Sequence, residues 1–223
     1  MVARRSYDEG CAAAHALDVV GERWALLVVR ELLFGPKRFT DLDGRLAGAS
    51  TSVLSQRLRE LADAGVLSRH RLPPPAGSWV YELTGWGREL EPVIVALARW
   101  GSRSPRFDGE APITPAAMAL ALTGYADPAK VRHLSGPVEL RLDGEVFHAF
   151  PDGDRLRVTG PAPGAVPAAR IVARPESLRP FLYGHPVTAR TLRDHDIRTE
   201  GDRDAAIALL ASLGPAGVPA AIP

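Results

Sequence analysis

Hydrophobic residues follow two rhythms over the first hundred positions of the chain. Residues 11–35 carry them at helical spacing. The alanine-rich CAAAHALDVV comes first; after an interruption at Gly21, ERWALLVVRELLFG is apolar nearly all round and predicts a buried helix. Gly35–Pro36 is a stop, because glycine suits a left-handed cap and proline cannot continue a helix. RFTDLDGRLA predicts the next helix, with Thr40 as its N-cap and Leu42 and Leu46 on one face. GAS is a tight turn, and Ser50 or Thr51 then caps STSVLSQRLRELADAGVL. At about 100° per residue, Leu58 and Leu61 fall within about 40° of Leu54, while Ser52, Gln56 and Arg59 lie about 140–200° away. This helix has a narrow leucine stripe and a polar back.

The rhythm then changes from helical to alternating. GVLSRHRL ends the helix at Gly65 and becomes a strand, PPPAGS is a turn, and WVYELT alternates Trp79, Tyr81 and Leu83 against Val80 and Glu82. Helix, turn, helix and two strands around a proline-rich tip predict a winged helix-turn-helix. TGWGRELEPVIVALARWG returns to helical spacing, with Leu90, Val93, Ile94 and Leu97 on one side. Pro92 within it predicts a kink or a late start.

Residues 102–112 are polar and turn-rich and read as a linker. Beyond them, ITPAAMALALTGYAD predicts a helix. VELRLD, VFHAF and RLRVTG predict strands separated by GE and PDGD, and RIVARP a fourth strand. PESLRPFLYG predicts a short helix, and IRTEGDRDAAIALLASLG a last strand and helix. The tail PAGVPAAIP reads as frayed. The fold class is therefore α+β. Residues 1–101 form a winged-helix domain. Residues 113–223 form an α/β domain with a small, mostly antiparallel sheet and packed helices.

Composition narrows this picture only slightly. The 223 residues are 46% hydrophobic and 24% charged, ordinary for a globular protein. No apolar run approaches the roughly 20 residues that span a bilayer, so no membrane partner is expected. The N-terminus is no secretion signal, and the single cysteine, Cys11, excludes an intramolecular disulfide framework. A cytoplasmic protein is the expectation. The net charge is +1, but Lys37–Arg71 holds seven basic residues to four acidic ones. An anionic partner must therefore meet a local patch.

No catalytic constellation stands out: there is no HExxH, no paired CxxC, no phosphate loop and no Gly-x-Ser-x-Gly elbow. The expectation is a protein that is not an enzyme and that holds no metal and no cofactor. Asp194–His195–Asp196 reads as solvated charge, since neighbours on a strand diverge. The polar back of the Ser50–Leu67 segment is the strongest lead. Arginine can fork onto guanine, glutamine can pair with adenine, and serine reaches bases or phosphates. Double-stranded DNA is the expected partner, with Ser52, Ser55, Gln56 and Arg59 as base contacts. Lys37, Arg38, Thr51, Arg69 and Arg71 are expected at the phosphates and the wing. Arg57 flanks the leucine stripe, and Arg59 faces away from it.

CAAAHALDVVGERWALLVVRELLFGPKRFTDL, VLSQRLRELADAGVLSRH and YELTGWGRELEPVIVALARWG resemble the HxlR family of bacterial winged-helix regulators, relatives of the MarR type. The likeness covers roughly Cys11 to Gly101. It implies a homodimer on a palindromic operator, with dimer contacts from the N-terminal helix and from the long helix carrying Leu90, Val93, Ile94 and Leu97. In several members a cysteine at the place of Cys11 senses oxidants or electrophiles, so an alternative is a thiol-sensing regulator. The C-terminal half would then be a structural or protein-interaction module. That half is similar to the sterol-carrier-protein type of fold, which implies helices over one face of a sheet and an apolar tunnel between. Phe147, Phe150, Phe181, Leu182 and Tyr183 are the candidates to line it around a small apolar effector. Ordinary core packing of these residues, or a small enzyme in this half, are the competing readings.

Overall fold

The computed structural model describes residues 6–214 apart from 162, 163 and 165. The chain divides into two compact units, Met1–Ile94 and Val95–Pro223.

The first unit contains α1 (Ala12–Val20), α2 (Ala25–Leu32), α3 (Phe39–Arg45), α4 (Thr51–Asp63), β1 (Leu67–Arg71), β2 (Trp79–Leu83) and α5 (Gly85–Arg88). It also contains the start of α6 (Glu91–Gly101). The break after α1 is sharper than Gly21 alone implies. Trp24 takes a left-handed backbone (φ 78°) at the N-cap of α2. Its ring packs against the α3–α4 turn, where a Cβ on Gly48 would lie 2.7 Å from the indole. Val28, Val29 and Leu32 from α2, Leu42 and Leu46 from the α3 segment, and Leu54, Leu58 and Leu61 from α4 are all buried. Full burial of one such side chain contributes about 1.5–3 kcal/mol.

Helix starts follow local hydrogen bonds. Ser50 caps α4, its hydroxyl accepting from the Val53 amide. Thr40 does not cap α3: the helix begins at Phe39, and the Arg38 amide is satisfied by the Asp41 carboxylate at 3.0 Å. Pro92 marks a late start, since α5 ends at Arg88 and α6 begins at Glu91. A proline has no amide hydrogen to lose in a first turn.

In the second unit, α7 (Pro115–Tyr125) and α8 (Pro128–Val131) precede the strands β3 (Val138–Leu142), β4 (Glu145–Asp152), β5 (Arg155–Thr159) and β6 (Ala169–Ala173). A 3-10 turn at Pro175–Leu178 leads into α9 (Arg179–Leu182), followed by α10 (Ala189–Asp194), β7 (Arg198–Gly201) and α11 (Arg203–Ala211). The strand order is β5-β4-β3-β6-β7; only the β3–β6 pair is parallel. The sheet is thus mostly antiparallel, as its hairpin punctuation predicts. Asp143 and Gly144 both have positive φ (46° and 83°), the requirement of a two-residue type I′ turn. Asp194–His195–Asp196 lies at the end of α10 rather than on a strand, with Asp196 left-handed (φ 51°). The residues 215–223 fall outside the described part of the chain.

Helices α7, α8 and α11 pack on the strands. Leu140, Phe147, Leu156 and Ile171 alternate onto one face of the sheet and are buried. The opposite face carries charge. Glu139 accepts from Arg141 Nε at 2.7 Å and from Arg170 Nε at 2.5 Å, and Arg170 also reaches Glu200. Burial opposes the Glu139 charge, but the two guanidinium hydrogen bonds prevail and hold its carboxyl below the usual carboxylate range. Among the described residues no helix is long and apolar enough to cross a membrane.

Candidate nucleic-acid interface

The α3–turn–α4 pair and the β1–β2 wing come from consecutive stretches of one unit. On α4, Leu54, Leu58 and Leu61 are buried, and Thr51, Ser52, Gln56 and Arg59 are exposed. Ser55 is half-buried at the border. Ser50 and Ser52 share a hydroxyl hydrogen bond of 3.0 Å, and Thr51 donates to Asp43 at 3.5 Å. Arg59 donates through Nε to the Ser55 carbonyl at 3.4 Å. Gln56 Nε2 donates to Glu60 at 2.9 Å. Arg57 behaves differently from Arg59. Its side chain is 11% exposed and turns back to ion-pair with Glu60 and, at 3.8 Å, with Glu22.

The wing places cations on its outer face. Register pairs Arg69 with Tyr81 and Arg71 with Trp79. Trp79, Tyr81 and Leu83 do not form an inward apolar row. Leu83 at the end of the strand is buried, as is Val80 on the other face, but Tyr81 is half-buried and Trp79 is 53% exposed. The rings instead carry Arg69, whose guanidinium lies 4.7 Å from the Trp79 centroid and 5.9 Å from that of Tyr81. Arg71 Nε donates to the Gly77 carbonyl at 2.6 Å, which closes the proline-rich tip. Lys37 joins the wing as a third edge: its amide and carbonyl exchange hydrogen bonds with Tyr81 at 3.0 and 2.8 Å. The Gly-Pro stop hides that bridge in the sequence, because a one-residue pairing has no period. Arg38 is exposed beside it at the N-cap of α3.

The residues expected at a dimer contact divide. Val93 and Leu97 are 46% and 45% exposed, Leu90 is half-buried, and Ile94 is buried within its own chain at 7%. An apolar groove of about 280 Å³ lies beside Leu90, lined by Ala12, His15, Ala16 and Val19 of α1 and by Trp86. Sequence reasoning missed Trp86, half-exposed on the short α5. Cys11 is exposed at the N-cap of α1, and hydrogen bonds from the Ala14 and Ala13 amides hold its thiol below the usual range. In the second unit, Phe147 and Phe181 are fully buried and Leu182 nearly so, while Tyr183 is exposed. Phe147 and Phe150 are not brought together. They are three apart on β4, and Phe150 pairs with Arg157 on the charged face.

Residues 19–106 match the model of the HxlR-like helix-turn-helix family. An uncharacterized HTH-type transcriptional regulator of Synechocystis is 38% identical over 92 residues, 41% of this chain and 68% of that protein. YvaP of Bacillus subtilis is 36% identical over 87 residues, 39% of this chain and 81% of its own. The chain belongs to the HxlR-like helix-turn-helix family. A Mycobacterium tuberculosis HTH-type regulator is 41% identical over 102 residues, but the match spans only 64% of its length and 45% of this chain. Among solved structures, the redox regulator HypR in its oxidized form is 28% identical, with a TM-score of 0.40, over 44% of this chain and all of that one. The HxlR likeness covers the winged helix and α6 and stops before α7. The matched residues include the whole α3–turn–α4 pair.

Proposed function

We propose that this HxlR-family chain is a DNA-binding transcriptional regulator, not an enzyme, that acts in the cytoplasm as a homodimer on a palindromic operator. The observation that carries the reading is the exposed Ser52–Gln56–Arg59 face of α4, opposite three buried leucines and between a capped N-terminus and a cationic wing. Helix α4 enters the major groove, where Arg59 and Gln56 meet base edges with Ser52 and Ser55 beside them. Thr51, Lys37, Arg38, Arg69 and Arg71 face phosphates. Exposed Val93 and Leu97, with the groove beside Leu90, support docking of a second copy. A two-fold axis then sets the half-sites about one DNA turn apart. Fluorescence anisotropy of the full chain on a labelled mixed-sequence duplex tests the electrostatic part. Affinity falls as salt rises, and Arg71→Ala lowers the log–log salt slope by about one while weakening all sequences alike. A salt-independent signal contradicts the reading.

In the same proposal the second unit is a sterol-carrier-like effector domain. Its buried apolar residues Phe147, Phe181 and Leu182 take a small apolar ligand; Tyr183 lies at the surface, and Phe150 belongs to the charged face of the sheet. A coupling of about 1–3 kcal/mol to the DNA-bound state is enough for regulation.

A second reading rests on Cys11, exposed with its thiol held toward the reactive thiolate by helix amides. Oxidation there would release DNA, leaving the second unit a structural or protein-interaction module. Treatment with hydrogen peroxide separates the readings: Cys11→Ser abolishes oxidant-induced release if the thiol is the sensor, and leaves it unchanged otherwise.

A further inference from the structure

We infer that Glu60 is a positioning residue that fixes what Gln56 can read, an inference that rests on α4 being the base-contacting helix. Its two carboxylate oxygens have separate tasks. Oε1 accepts from Gln56 Nε2 at 2.9 Å, one helical turn earlier. Oε2 accepts from Arg57, which also lies 3.8 Å from Glu22 in the connection between α1 and α2. Arg57 cannot easily let go. Its side chain is 11% exposed and ion-paired to both carboxylates, which hold the guanidinium in place although its Nε is buried with no hydrogen-bond partner among the described residues. Glu22, Arg57, Glu60 and Gln56 thus form a chain of contacts from the α1–α2 junction to the polar face of α4.

The consequence for Gln56 is chemical. A primary amide has two N–H donors and one carbonyl acceptor, and its two ends are easily exchanged by a flip. Glu60 is a pure acceptor when ionised. A flipped Gln56 would set its carbonyl oxygen against a carboxylate oxygen, so the nitrogen end must face Glu60. One donor is then occupied, and one donor and the carbonyl remain for a partner. Adenine offers an acceptor at N7 and a donor at N6, which that remaining pair complements. Guanine offers two acceptors, N7 and O6, and would require both amide donors. Glu60 therefore favours adenine over guanine at the base that Gln56 meets, without touching DNA itself.

The test uses the full-length protein and duplexes with a randomised core. Sequences selected by the wild type and by Gln56→Ala identify the base pair whose preference Gln56 sets. Competition binding on four duplexes differing only there is then measured for Glu60→Ala, Glu60→Gln and Gln56→Ala/Glu60→Ala. Glu60→Ala is expected to cut the adenine-over-guanine ratio about threefold to tenfold, the worth of one net hydrogen bond. In the Gln56→Ala background the same change is expected to alter no ratio. Glu60→Gln keeps an acceptor and is expected to restore part of the preference. Both Glu60 variants lose a negative charge and bind every duplex at least as tightly as the wild type. If both raise affinity for all duplexes equally and leave the ratio intact while Gln56→Ala abolishes it, Glu60 is only a charge and the inference fails alone. If Gln56→Ala changes no preference, the assignment of Gln56 as a reader fails, and the inference with it.

Discussion

Gly87→Ala is expected to destabilise the N-terminal unit by about 3 kcal/mol, the upper part of the range for overpacking. Gly87 is buried in α5, and a Cβ there would lie 2.0 Å from the Val66 carbonyl oxygen and 3.0 Å from its carbon. Both are backbone atoms, so no side chain can swing aside. The contact sits where the end of α4 passes into the wing. Thr84 locks the same place: its hydroxyl donates to the Gly65 carbonyl at 2.8 Å and accepts from the Gly87 amide at 3.0 Å. Gly85 in the same short helix is the control, because a Cβ there meets nothing within 4 Å. Gly85→Ala should be neutral or stabilising by up to about 1 kcal/mol, through the reduced freedom of the unfolded chain. Thermal unfolding of the two variants, followed by circular dichroism, checks the contrast. Equal midpoints would mean that the Gly87–Val66 approach does not constrain the wing.

Arg59→Ala is expected to cost about 1–3 kcal/mol of discrimination between the preferred duplex and one altered at the base pair that Arg59 meets. It should cost far less on random DNA. Arg59 is exposed on α4, and among the described residues only its Nε is engaged, by the Ser55 carbonyl. The guanidinium ends remain for the forked pair that guanine accepts. Competition titrations on matched and altered duplexes measure the difference directly. A loss of equal size on both would place Arg59 at the phosphates instead. Arg57→Ala is no substitute for this experiment, since Arg57 packs into the unit and its removal would disturb α4 itself.

The leucine stripe of α4 was legible because Leu54, Leu58 and Leu61 repeat at helical spacing and one side of an amphipathic helix must face a core. The polar residues opposite followed from the same wheel, and so did the difference between Arg57 and Arg59. The hairpins of the second unit were legible in their GE and PDGD punctuation, although the first turn falls one residue earlier, on Asp143–Gly144. Features built from distant residues left no such trace. The Lys37–Tyr81 bridge joins positions far apart in sequence through a single pair of amides. The parallel β3–β6 pairing depends on how the chain returns after β5, which no local period encodes. In the wing, Trp79 and Tyr81 look like core in an alternating strand. Arg69 stacks on them instead, and Val80 and Leu83 are what the domain buries of this strand. Phe147 and Phe150 are an odd number apart on one strand, which alone puts them on opposite faces. The four-residue spacing of Gln56 and Glu60 likewise makes them neighbours on a helix.

The most direct test of DNA reading by α4 is selection by the full-length protein from duplexes with a randomised core, at physiological salt. The account predicts enrichment of a two-fold-symmetric sequence with half-sites centred about 10 base pairs apart, each losing its preference at separate positions in Gln56→Ala and Arg59→Ala. Recovery of unenriched random sequence, or a selected motif unchanged in both variants, would contradict it.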